Sequence, residues 1–108
     1  MAPRNRTFKH LLYWLFTATR GGTNRGRIME VILEEPMNTN RIRKTLDLDF
    51  RTVKHHLEVL ENNDLVSSMG NHYGKMYFAS EKLMTNIEMF EDVWTGVSLK
   101  LRGGEKEK

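Results

Sequence analysis

Two runs of helical spacing, parted only by Asp47-Leu48-Asp49, with an alternating pattern directly after the second, constrain this chain more than any other feature. Ile42 and Leu46 lie four apart; Val53, Leu57 and Leu60 repeat that spacing, and Phe50 extends the second stripe backwards. Apolar residues at this spacing form the face that a helix buries. Asn38 or Thr39 can cap the first, short helix, and Asp49 a longer one to about Asn63. Short polar side chains there accept from backbone N–H groups that the first turn leaves bare. The period then changes. Leu65 to Met69 and Lys75 to Ala79 predict two short strands joined by a loop bounded by Gly70 and Gly74, a hairpin with a turn longer than two residues.

The flanks read as helices. Thr7 to Thr19 carries Phe8, Leu11, Leu12, Trp14, Leu15 and Phe16 over more than one face, so such a helix must be covered on several sides. Gly21-Gly22 breaks it. Thr23 or Asn24 can cap a helix to about Glu35, with Ile28, Val31 and Ile32 inward, and Pro36 disfavours helical geometry at the residue before it. Ser80 caps a long helix through about Leu101, which Gly103-Gly104 end. The order is helix, helix, short helix, helix, hairpin, helix. Two helices joined by a tight turn and followed at once by a hairpin spell a winged helix-turn-helix. The expected fold is therefore mainly α with a small β-hairpin, divided into an N-terminal helix (1–20), a winged helix-turn-helix domain (21–80), a C-terminal helix (81–102) and a charged tail (103–108).

At 108 residues the chain makes one domain that can bury a modest core without staples. It has no cysteine, which excludes disulfides, thiolate metal sites and cysteine nucleophiles. Charge is distributed unevenly. Through Leu60 there are eleven Lys or Arg against six Asp or Glu, and from Glu61 onward six against eight. A basic first part points to a polyanion partner, although solvated surface has the same composition. The run Leu11 to Phe16 is far short of the about 20 apolar residues that span a membrane, and no cleavage site of the A-x-A kind follows it. The expectation is a soluble, cytoplasmic protein with no membrane partner.

In the helix after Asp49, the core stripe leaves Arg51, Thr52, Lys54, His55 and Glu58 on the other side. The first four lie in the first two turns, where a recognition helix meets base edges. Arg51 can read guanine O6 and N7 or clamp a phosphate, and Thr52 can donate to a phosphate or touch a thymine methyl. Lys54 and His55 can donate to the backbone or the groove. The bland alternative is an ordinary solvated helix face; the adjoining turn and hairpin favour double-stranded DNA. Asn40, Arg41, Arg43 and Lys44 on the short helix offer charges that position a phosphate backbone. Asn71, His72, Tyr73 and Lys75 at the hairpin tip make a wing that touches DNA, or else a plain polar turn.

Two adjacent histidines invite a metal reading. Helical side chains converge at i, i+3 or i, i+4, so His55 and His56 point about 100° apart and cannot share an ion on one face. No metal or cofactor is implied. There is no nucleophile with a base and no phosphate-binding glycine loop, so no enzyme is expected.

Leu83, Ile87, Phe90, Trp94, Val97 and Leu101 are spaced 4-3-4-3-4, a seam of nearly three heptads. A helix of about 20 residues is near 30 Å long, longer than so small a core covers. The expectation is that it pairs with the first helix, through Phe8, Leu11, Leu12 and Leu15, and with a second copy to form a twofold homodimer. The alternative is packing wholly within one subunit. A protein-interaction module without DNA binding is the rival function. A ligand-gated sensor, its effector held among Trp94, Phe90 and Trp14, is another; the identity of any small-molecule effector is unknown.

"TRGGTNRGRI" (Thr19 to Ile28), "LDFRTVKHHLEVLENNDLV" (Leu48 to Val66) and "YGKMYFAS" (Tyr73 to Ser80) resemble archaeal winged helix-turn-helix transcriptional regulators of the ArsR-like group. The pattern T-V-x-x-H-L-x-x-L, here Thr52, Val53, His56, Leu57 and Leu60, is characteristic of ArsR-type recognition helices. The resemblance implies a dimeric, sequence-specific DNA-binding regulator, usually a repressor, that reads DNA with Arg51, Thr52, Lys54 and His55. The chain departs from the metal-sensing branch, which relies on cysteines or on His and acidic ligands in the terminal helix. Here the terminal helix has Glu88, Glu91 and Asp92 but no histidine. The short helix has Arg41 where relatives often carry glutamine.

Overall fold

The computed structural model describes the backbone of residues 2–71 and 74–106 and the side chains of 7–71 and 74–97. Helix α1 (Ala2–Tyr13) runs directly into a five-residue π-helical segment, Trp14–Ala18. The wide turn is held by side-chain oxygens: Thr17 Oγ1 donates to the Tyr13 carbonyl (2.7 Å) and Thr19 Oγ1 to the Trp14 carbonyl (2.9 Å). It turns Leu15 and Phe16 inward. The helix thus starts earlier than Thr7 and ends in a turn that apolar spacing does not encode.

Helix α2 (Gly22–Glu34) begins on Gly21, not on Thr23 or Asn24. Gly21 is left-handed (φ +89°), and a Cβ on it would lie 2.8 Å from His56 Cε1. The sharp corner between the π segment and α2 requires a residue with no side chain there. Glu35 is extended, as its position before Pro36 demands. Ile28, Met29 and Ile32 are buried, while Val31 is half-buried.

A two-residue strand, β1 (Met37–Asn38), was not apparent in the sequence. Helix α3 (Thr39–Leu46) follows, its first turn capped by Asn38, whose side chain accepts from Arg41 N at 2.8 Å. Asp47 is left-handed (φ +57°) and ends it. Asp49 then caps α4 (Phe50–Asn62), accepting from Thr52 N and Thr52 Oγ1, both at 3.1 Å. Each such cap stabilises its helix by about 1 kcal/mol.

Strands β2 (Val66–Met69) and β3 (Met76–Ala79) pair antiparallel, with Val66 opposite Ala79 and Met69 opposite Met76. β1 adds to the far side of β3, giving a three-stranded sheet in the order β1-β3-β2. The hairpin is therefore one edge of a small sheet and is tied to the stretch before α3.

Ser80 caps a helix as expected, accepting from Leu83 N at 3.0 Å and donating to the Asp64 carbonyl at 2.7 Å. That helix, α5 (Glu81–Thr85), is short. Asn86 leaves helical geometry and its amide donates to the Lys82 carbonyl at 2.9 Å, the local competition by which asparagine interrupts helices. Helix α6 (Ile87–Lys106) then runs on through Gly103-Gly104, which do not end it.

One core joins all of these elements, with Leu12, Phe16, Ile28, Leu57, Leu65 and Phe90 among its fully buried members. The Phe16 and Phe90 rings meet edge to face with centroids 5.1 Å apart. Helix α1 packs on α6, and the π segment on both α2 and α6. Trp94 lies against Gly26, where a Cβ would overlap its ring, and Nε1 donates to Glu30 Oε2 at 2.6 Å. The long C-terminal helix is thus fastened to α2 within one subunit.

Candidate nucleic-acid interface

Helix α4 divides into two sides. Val53, His56, Leu57 and Leu60 are buried, whereas Arg51, Lys54 and His55 are exposed and Thr52 is half-buried. Because Thr52 Oγ1 donates to the Asp49 carboxylate, the residue at the helix start is fixed before any partner arrives. Phe50, expected in the core stripe, is 49% exposed. The correction has a simple geometric cause. Helical side chains lean towards the N-terminus, so the side chain of a first-turn residue overhangs the open end of its helix and misses the core.

His56 is the buried member of the histidine pair, its ring 5.6 Å from that of His55 at an angle of 54°. It faces Arg25, which is itself buried; Arg25 Nη1 lies 3.3 Å from His56 Nδ1. A guanidinium only donates, so Nδ1 accepts and the ring proton sits on Nε2. Burial, followed by the nearby Arg25 charge and then His55, lowers the His56 pKa to about 4, and the ring is neutral. Burial also lowers the Arg25 pKa. Its Nε donates to the Leu15 carbonyl (2.9 Å) and its Nη2 to Thr19 Oγ1 and the Arg20 carbonyl. One guanidinium therefore ties the π segment, α2 and α4 together.

On α3, Asn40, Arg41 and Lys44 are exposed and Arg43 is half-buried. Arg43 Nε donates to Asn40 Oδ1 at 3.0 Å. Arg41 is paired with Glu35 through two hydrogen bonds of 3.2 Å. At the wing, Asn71 and Lys75 are exposed, and Lys75 Nζ stands 5.8 Å from the Tyr77 ring centroid. His72 and Tyr73 lie outside the described residues.

A groove of about 370 Å³ brings part of this set together; Thr39, Phe50, Lys54, Gly70, Asn71, Lys75 and Tyr77 line it. Lys54, Asn71 and Lys75 were expected at the interface; Thr39, Phe50 and Tyr77 were missed. Pairing of β1 with β3, which brings the start of α3 up to the wing, was the signal that sequence spacing lacked. None of the lining residues is acidic. Met69 and Met76, opposite one another near the wing tip, are 68% and 38% exposed.

The residues expected at a dimer contact divide differently. Phe8, Leu12, Leu15, Leu83, Phe90 and Trp94 are buried in the core of a single chain and have almost no surface left to offer a partner. Spacing shows that a seam is covered but not by what. Leu11, Ile87 and Val97 are half-buried, and the Leu101 side chain lies outside the described residues. Tyr13 and Trp14 are instead the exposed aromatics, at 47% and 53%. Trp14 is thus exposed where Trp94 and Phe90 are buried. Among the described residues, no group of three or more His, Asp or Glu could hold a metal ion, and no helix is long and apolar enough to cross a membrane.

No family model matches the chain, and no curated protein matches it in sequence. Solved structures do resemble it. Reduced HlyU from Vibrio cholerae matches with a TM-score of 0.63 at 17% identity, over 86% of this chain and 96% of that one. A MarR family protein from Bacillus stearothermophilus matches with a TM-score of 0.59 at 16% identity, over 94% and 69%. The transcriptional regulator SlyA matches with a TM-score of 0.56 at 14% identity, over 94% and 70%. At these identities the likeness is one of fold, and that fold, mostly helical with a small three-stranded antiparallel sheet, is the winged-helix fold of such regulators.

Proposed function

We propose that this protein is a sequence-specific, DNA-binding transcription regulator of the cytoplasm. It acts as a homodimer on a pseudo-palindromic site, with repression the expected outcome. The observation that carries the reading is α4: its inner face is buried, its N-terminus is capped, and its first two turns hold out Arg51, Lys54 and His55 beside a groove with no acidic lining. Thr52 completes the reading set, while Asn40, Arg41, Arg43, Lys44, Asn71 and Lys75 position the phosphates. The ArsR-type pattern in α4 supports a place in that group. A second copy covers the partly exposed apolar groups of the terminal helices, Leu11, Ile87 and Val97, together with Tyr13 and Trp14.

Selection from random duplexes tests the reading, and an enriched sequence with two related half-sites is expected. Gel shifts on that sequence should weaken steeply with salt, as release of counterions from phosphates requires. Arg51→Ala should cost about 1–3 kcal/mol of binding and relax base preference at one position per half-site. Lys75→Ala should weaken binding equally on all sequences and reduce the salt slope by about 1. Selection that enriches nothing would instead favour a winged helix docked to another protein.

A further inference from the structure

We propose that Phe50 is a base-reading residue, its ring seated against the C5-methyl group of a thymine in the major groove. The inference rests on the DNA-binding reading above. Phe50 opens α4 and is half exposed, so its ring contributes little to the core of its own chain. Its neighbours in the groove are mostly polar, the buried Tyr77 ring apart. Lys54 and Lys75 stand in the same groove with Asn71, Thr39 and Tyr77, and Arg51 follows it in sequence, exposed. Two lysines in a groove lined by no acid select an anionic occupant. An aromatic ring among them is matched only if that occupant also presents an apolar group. The major groove of DNA does so in one place, the thymine methyl, which aromatic and aliphatic side chains contact. The site also suits the geometry, since the N-terminal residues of a recognition helix approach base edges and a first-turn side chain projects beyond the helix end.

The operator is first obtained by selection with the wild-type protein; if no sequence is enriched, the DNA-binding reading itself fails. Each thymine of both half-sites is then replaced in turn by deoxyuridine, which keeps every hydrogen-bonding group and removes only the methyl. For each protein the Kd on the substituted duplex is divided by its Kd on the parent, so the fraction of active protein cancels. Wild type should show a ratio of roughly four at one thymine per half-site, the effect of one methyl group withdrawn from water. Phe50→Ala should bind the parent operator more weakly and give a ratio near one at that thymine. Phe50→Leu should keep part of the sensitivity. Equal ratios for wild type and Phe50→Ala at every position, whether raised or near one, overturn the assignment of Phe50 and leave DNA binding standing.

Discussion

Arg41 and Glu35 illustrate how an exposed ion pair bears on function more than on stability. Their side chains are 54% and 58% exposed, and such pairs contribute on the order of 0–1 kcal/mol to folding. The same pair occupies a guanidinium at the front of α3, where a phosphate is proposed to lie. Glu35→Gln should therefore leave the unfolding midpoint almost unchanged and tighten DNA binding severalfold. The salt slope should also steepen by about 1, for one more phosphate neutralised. Binding that is unchanged at every salt concentration would remove Arg41 from the contact set. At this scale much was legible in advance. Asn38, Asp49 and Ser80 each cap the helix their sequence position indicates, because a cap depends on residues three or four apart. Phe50 was misread, because its fate depends on the end of a helix rather than on a repeat.

Between elements, the Arg25–His56 contact couples three parts of the chain, and its sign with pH can be worked out. The unfolded histidine has an ordinary value of 6.5 and the folded one about 4. Below about pH 6.5 the unfolded chain binds a proton that the folded chain refuses, so stability falls as pH falls towards 4 and this group has no effect above that window. A tenfold difference in proton affinity between the two states is worth about 1.4 kcal/mol, which makes the full effect on the order of 3 kcal/mol. Urea unfolding at about pH 5 and at about pH 7.5 should show the loss in wild type. His56→Gln should be less stable at neutral pH but with a flatter profile across that window; an equal slope in both would exclude His56 as the source. Helix order and the hairpin were readable from spacing. The π segment, β1 and the Asn86 break were not: the first and last are set by side-chain-to-backbone hydrogen bonds that apolar spacing does not encode, and β1 exists only because β3 lies beside it.

For the molecule as a whole, apolar spacing could not distinguish a subunit core from a subunit interface. One chain measures 45 × 38 × 22 Å, comparable with the ~34 Å between successive major grooves on one face of DNA. The two tryptophans follow the same division. Trp94 is sealed at 6% exposure with its indole N–H bonded to Glu30, and Trp14 stands 53% exposed. The chain therefore carries two intrinsic fluorophores of opposite character, one emitting from a dry environment and one from water. Acrylamide should quench the Trp14 emission and spare that of Trp94. If a second copy covers Trp14, raising the protein concentration should shield the quenchable half and shift its emission to the blue. A Trp14→Phe variant, silent in that channel, would identify the source, so that assembly can be followed by light emission without any attached label.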